Sequence, residues 1–366
     1  MISTRKSSSI DGRATRNIVL TVVFGAALPL TAQVFTEYPI PTPASSAGDI
    51  TLGSDGAMWF SEASKQKIGR ISGAGTITEY PLPVGHSPGG ITSGPDGNLW
   101  FVVFTPPPSL PQLGKITPMG SITEIPMPEA GAPNQITTGP DQNLWFTMGA
   151  VYRVTTDGTF TKFPVPHPEG GPNGITTGPD GNLWFMYSQS VYSRVCRMTL
   201  DGLVTEFAIP SGNVSPMSIA TGSDGNLWFT EYNGASIGRI TPDGVVTEFV
   251  VPTAAPRTQS IASSSDGSLW FTERKVGTHK LGRITTAGDI TEYDAPSRGS
   301  GIAVALDLSI WFTEDDNSAN KIARLDLSIS PSPTPTPSNT RTPTNTRTPT
   351  KTRTPTRTPT PRRPRF

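Results

Sequence analysis

Apolar positions in the middle of this chain fall in short runs parted by turns rich in Gly, Pro and Asp, and the runs recur in one order. All seven tryptophans occupy one motif, an apolar residue followed by Trp-Phe: Trp59, Trp100, Trp145, Trp184, Trp228, Trp270 and Trp311. Their spacings of 41, 45, 39, 44, 42 and 41 residues match the period of a propeller blade built from four strands.

One unit shows the four strands. Gly90-Ile91-Thr92-Ser93 is a β-branched run, strand a, and Gly94-Pro95-Asp96-Gly97 is a tight turn in which glycine supplies positive φ. Asn98 to Val103 carries the Trp-Phe pair as strand b, and Leu113 to Ile116 is strand c. Thr117-Pro118-Met119-Gly120 turns the chain into Ile122-Thr123-Glu124-Ile125, strand d, ended by Pro126. No blade buries its aromatic face alone, so the ring forms as a unit. The expected fold is all-β: a seven-bladed β-propeller of four-stranded antiparallel blades.

The order of runs also predicts the closure. A strand-d motif, Phe35-Thr36-Glu37-Tyr38-Pro39, precedes the first Trp motif, while strand c after Trp311 (Lys321 to Leu325) has no strand d behind it. The N-terminal strand is therefore expected to complete the seventh blade and remove a free sheet edge. A basic residue on strand c stands nine positions before a strand-d glutamate in Arg70/Glu79, Lys115/Glu124, Arg197/Glu206, Arg239/Glu248 and Arg283/Glu292, whereas blade three has Arg153/Lys162. With a four-residue loop these residues face each other across the hairpin, and Arg324 is expected to meet Glu37.

Charge divides the chain into three parts. Residues 1–32 hold four basic groups and one acid, residues 33–329 hold 17 basic and 28 acidic groups, and residues 330–366 hold eight basic groups and no acid. An acidic body repels phosphate, which argues against nucleic acid as its partner. Arg5, Lys6, Arg13 and Arg16 followed by the apolar run Ile18 to Leu30 read as an export signal over residues 1–32, with cleavage near Thr31-Ala32. The run is short for a membrane span, so the expected product is a secreted or envelope-associated monomer without one. From Ser330 the Ser/Thr/Pro/Arg composition cannot bury a core and reads as a disordered spacer. The single cysteine, Cys196, lies in an apolar strand and reads as a buried structural thiol.

Topology selects the face for chemistry. The d-to-a and b-to-c connections share one face and are irregular, and irregular loops on a rigid frame are where sites sit. On that face strand b ends in glutamate in blades one, five, six and seven: Glu62, Glu231, Glu273 and Glu314. Val103, Met148 and Tyr187 take the place in blades two to four. Four carboxylates on one arc are candidate ligands for Mg²⁺ or Ca²⁺, which favour oxygen donors. The alternative is that they are ordinary blade residues bonded to loop amides or to neighbouring Lys and Arg. The three histidines, His86, His167 and His279, fall on the same face as candidate acid–base groups or as plain loop residues. Asn134, Asn173, Tyr187, Gln259, Arg257 and Arg298 complete the ligand-facing set on that face.

The recurring strings Gly-Ile-Thr-x-Gly-Pro-Asp-Gly-Asn-Leu-Trp-Phe-Thr-Glu, Lys-Ile-Gly-Arg-Ile-Thr and Ile-Thr-Glu-Tyr-Pro resemble the virginiamycin B lyase (streptogramin lyase) family over about residues 33–329. The resemblance implies a seven-bladed propeller that linearises type B streptogramins, cyclic depsipeptides, by Mg²⁺-dependent elimination. It also implies a histidine base, with histidines and glutamates about the metal. Family histidines stand before strand a in Pro-His-Gly-Ile-Thr; the aligned positions here are Gly89, Asn134, Asn173, Met217, Gln259 and Ser300. The strand-b glutamates match at Glu62, Glu231, Glu273 and Glu314. Two readings follow. One is a non-catalytic binding propeller for a small cyclic peptide, a glycan or an envelope protein. The other is an Mg²⁺-dependent carbon–oxygen lyase acting on cyclic depsipeptides through a loop histidine.

Overall fold

Each Asp-Gly turn brings strand a back along strand b, and the repetition generates one meander after another. The computed structural model describes residues 34–167, 170–189, 192–315 and 319–327. Twenty-eight strands among them form seven four-stranded antiparallel sheets, with one short 3-10 turn at Ala63–Lys65. The chain divides into Met1–Leu327 and Ser328–Phe366; the expected signal segment (1–32) and the spacer (330–366) lie outside the described residues. No helix of the described residues is long and apolar enough to cross a membrane.

In blade two the strands are Ser87–Ser93, Leu99–Phe104, Gln112–Ile116 and Ile122–Pro126, paired in sequence order. The a strands of neighbouring blades pack on one another and so ring the axis. Closure follows the expected course: Phe35–Pro39 pairs antiparallel with Lys321–Leu325 at the edge of blade seven. Asn320 secures the join, its amide donating to the carbonyls of Ile40 and Thr42 at 3.2 and 3.0 Å while its oxygen accepts from Ser45.

The core lies between blades, and the Trp motif builds most of it. All seven indoles are buried. Trp59 stacks on Tyr80 of strand d at 5.6 Å, and five further blades repeat the stack with Phe163, Phe207, Phe249, Tyr293 and Tyr38. In blades one to five the indole N–H donates to the turn aspartate, as in Trp59 Nε1 to Asp55 at 3.0 Å. In four blades the Phe beside the Trp sets strand c: a Cβ on Gly69 would lie 2.1 Å from the Phe60 ring, so only glycine fits, and Gly114, Gly238 and Gly282 repeat the contact. Cys196 is buried as expected, and burial pushes its thiol pKa far up.

The expected cross-strand ion pairs are not formed. Five residues, Ser72 to Thr76, separate the paired Ile71 and Ile77, so Arg70 stands opposite Thr78 and Glu79 opposite Gly69. One residue of register places Arg70 and Glu79 on opposite faces of the sheet. Arg70 instead lies over its direct neighbour Trp59, 5.7 Å from the ring centroid, and bonds Asp55 at 2.7 Å. Lys115, Arg153, Arg197, Arg239, Arg283 and Arg324 sit over their own tryptophans in the same way. Glu37 accordingly pairs with Lys321 at 3.1 Å, while Arg324 turns to Asp307.

Candidate functional site

Strand a of each blade enters the ring through two residues that precede its core isoleucine. The outer ones are Gly48, Gly89, Asn134, Asn173, Met217, Gln259 and Ser300; the inner ones are Asp49, Gly90, Gln135, Gly174, Ser218, Ser260 and Gly301. Together they shape the mouth of the central channel, a cavity of about 120 Å³ lined by Asn173, Met217, Gln259 and Ser300 above and Asp49, Gln135, Ser218 and Ser260 below. Beneath it a cavity of about 220 Å³ is walled by Ile91, Ile175, Ile219, Ile261 and Ile302.

The mouth is held because four blades pin the next. Thr147 Oγ1 donates to the Asn173 carbonyl at 3.1 Å, Thr230 to that of Gln259 at 3.0 Å, Thr272 to that of Ser300 at 2.8 Å and Thr313 to that of Gly48 at 2.6 Å. This explains the hydroxyl between Phe and Glu in the strand-b motif.

Asp49 brings the charge. Its two oxygens accept the backbone N–H groups of Ile50 and Ile91, each at 3.1 Å, and the Gln135 amide donates to it. The residue is half-buried, and the protein around the carboxylate pushes its pKa up to about 6 against those donors. Sequence reasoning missed this residue. The signal was present in the repeat: of the seven inner positions only this one is charged.

The expected site residues separate into groups. Asn173 and Gln259 line the mouth. Asn134 ties blade three to blade four, donating to the Pro172 carbonyl at 3.1 Å. Tyr187 is buried, its hydroxyl donating to the His167 carbonyl and accepting from Gly170 N at 3.0 Å. Arg298 bonds Asp315 at 2.7 Å, which also holds Arg274, and Arg257 lies over the Tyr232 ring at 5.9 Å.

The histidines belong to a second repeated device, also missed. The strand-d glutamate holds the loop that enters its own blade. Glu79 accepts from Thr42 N and Oγ1 at 2.9 and 2.7 Å, Glu248 from Ser211 N at 3.3 Å, and Glu292 from Thr253 N at 2.8 Å. In blade two His86 Nδ1 lies 2.9 Å from Glu124, and in blade four His167 Nε2 lies 3.5 Å from Glu206. Blade three inverts the charges, with Lys162 on strand d and Glu129 in the loop at 2.5 Å. His86, His167 and His279 therefore stand in three different blades, and none lines the mouth or the channel cavity.

The strand-b glutamates are likewise dispersed. Glu62, Glu231, Glu273 and Glu314 are buried, each in its own sheet, and none lines either cavity. Burial, reinforced by the strand-d partners Glu79, Glu248 and Glu292, pushes Glu62, Glu231 and Glu273 up to about 8. At neutral pH burial favours the protonated form of each.

The virginiamycin B lyase family model matches residues 26–211 and 186–344, which between them span the whole propeller. The chain belongs to the virginiamycin B lyase family. A streptogramin B lyase structure aligns at TM-score 0.73 and 31% identity over 81% of this chain and 98% of its own. A catalytically inactive histidine-to-alanine variant of the Staphylococcus aureus virginiamycin B lyase, solved with quinupristin, aligns at 0.73 and 33% over 81% of this chain and all of its own. The curated virginiamycin B lyase of Bordetella parapertussis is 38% identical over 48 residues, so the match spans only 16% of that relative's length.

Membership in this family raises the question of Mg²⁺, which takes oxygen ligands in tight octahedral geometry. The residues present do not fit it. Among the described residues no three acidic, histidine or cysteine side chains converge as a metal site. The strand-b glutamates face partners in separate blades, and Asp49 is the only carboxylate at the mouth.

Proposed function

We propose that this virginiamycin-B-lyase-family propeller is a binding module that takes a peptide-like ligand at the channel mouth without opening it. The observation that carries this reading is the chemistry of the outer ring. Where a base would face the ligand stand Asn173, Met217, Gln259 and Ser300, none of which takes up a proton at neutral pH, and His86 and His167 face strand-d glutamates instead. General-base catalysis contributes on the order of 10²–10⁴ in rate, and without a base within hydrogen-bond reach that factor is forfeited. A rigid ring of amides and hydroxyls still orients a ligand well. An extracytoplasmic location belongs to this proposal and rests on the export signal read in residues 1–32.

One observation favours the second reading, ring opening by elimination. Asp49 stands at the throat with its carboxyl pushed up to about 6, near the range of a working base. The experiment is to incubate the full chain with a type B streptogramin and Mg²⁺, follow the mixture by chromatography with mass spectrometry, and titrate the same compound by calorimetry. Heat of binding without a new peak is the expected outcome. A ring-opened product of unchanged mass would establish the lyase and overturn the binding reading.

A further inference from the structure

Amides and hydroxyls, which both donate and accept, make up most of the mouth. Asp49 is its one charged group, and neither the mouth nor the channel below it is lined by any Lys, Arg or His. Asp49 accepts two backbone N–H groups and the Gln135 amide, whereas a carboxylate has about four acceptor sites, so one remains open. Gln259 stands across the same mouth, its Oε1 closed off from solvent. A half-buried charge without a counter-ion costs free energy that a suitable ligand recovers.

These features select a ligand. An anion is repelled by Asp49, and an acceptor-only ligand leaves the open site on its carboxylate unmet. A group with several N–H donors and a positive charge answers both. The cavity of about 120 Å³ lies well under the roughly 300–1,000 Å³ that encloses a whole drug-sized ligand, so it admits a head group while the ligand body stays outside. We propose that the throat is a recognition site for a primary ammonium group, with Asp49 as its counter-ion and Gln259 as part of the wall that frames it. This deepens, and rests on, the reading of the mouth as a ligand site. Chemically the group is a peptide α-amine, a lysine-like side chain or an amino sugar.

Saturation-transfer NMR on the full chain tests it with three probes of one size: butylammonium, 1-butanol and butyrate. At about pH 7.5 butylammonium is expected to bind at least about tenfold more tightly than butanol, with no response from butyrate. Asp49→Asn should erase that preference. A second arm needs no variant. No other titratable group lines the mouth or the channel, so lowering the pH to about 5 should weaken butylammonium about tenfold as the Asp49 carboxyl, near 6 in the free protein, takes up its proton. Equal binding of butylammonium and butanol, both lost in Gln259→Leu, overturns the charge-based inference while leaving the mouth as a site. Silence from all three probes overturns the inference too, and the streptogramin titration then decides the broader reading separately.

Discussion

Asp49 and Gln135 belong to blades one and three, yet their side chains meet, because Gly90 of the intervening blade has none. A Cβ on Gly90 would lie 2.6 Å from Gln135 Oε1 and 2.8 Å from the Asn134 carbonyl. The Asp49 carboxylate reaches past this gap to accept the Ile91 N–H as well. One glycine thus lets three blades share a single charge at the throat.

Gly90→Ala is expected to displace Gln135, remove its bond to Asp49 and lower stability by about 1–3 kcal/mol, the usual cost of overpacking a tight site. Urea denaturation measures it. A loss within error of zero would mean that the ring relaxes around the methyl group and that the contact is incidental.

Stability should fall as pH rises from about 4.5 to about 8. Glu62, Glu231 and Glu273 have folded pKa values near 8, above their ordinary 4.5. Over that window the folded state holds protons that the unfolded state has released, so each step up in pH favours unfolding. At the acid end Asp266, lowered to about 2, works in the opposite sense: its contribution is lost as pH falls below about 4. Thermal melts from pH 3 to 9 should peak near pH 5, and Glu231→Gln should flatten the alkaline limb. A Glu231→Gln protein whose limb is as steep as wild type would show that the burial of this carboxyl does not control it.

Blade six carries a correctable flaw. Ser268 N and Oγ both occupy Asp266 Oδ1, at 3.0 and 2.6 Å, and the buried Trp270 Nε1 has no hydrogen-bond partner. In blade two the same place is Asn98, whose side chain takes Asp96 Oδ2 while Trp100 Nε1 donates to Oδ1. Ser268→Asn should restore that arrangement and add about 1 kcal/mol, since an unmet buried donor costs about 1–3 kcal/mol. Guanidinium unfolding gives the number; an unchanged or lower midpoint contradicts the assignment.

The loop clamps and the mouth should separate in mutagenesis. His86→Ala breaks a partly exposed pair with Glu124, whose side chains are 24% and 15% exposed, expected to contribute under about 1 kcal/mol to stability, and ligand affinity should change less than about twofold. Asn173→Ala and Gln259→Ala should weaken binding about tenfold with little change in melting temperature. Calorimetry on the three variants compares them directly, and a collapse of affinity in His86→Ala would return that histidine to the site.

Much of the architecture is legible in the residues alone. Seven Trp-Phe motifs at a period near forty residues, an orphan strand-d run at residues 35–39 and a strand c without a strand d prescribe the blade count and the closure. These are local signals: turn chemistry, strand alternation and repetition, each readable within a few residues. The register of the c–d hairpin was not legible, because one more loop residue sends every side chain to the other face and pairs Arg70 with Trp59 rather than Glu79. The same holds for chemistry. Whether Glu231 points at a channel or at Glu248, and whether His86 faces a ligand or Glu124, depends on which blade face each strand end presents. Asp49 is a single acid in the sequence. It becomes the charge of the channel only because closing the ring brings all seven strand-a entrances to one axis, and a contact between residues so distant in the chain is set by that closure rather than by any local preference.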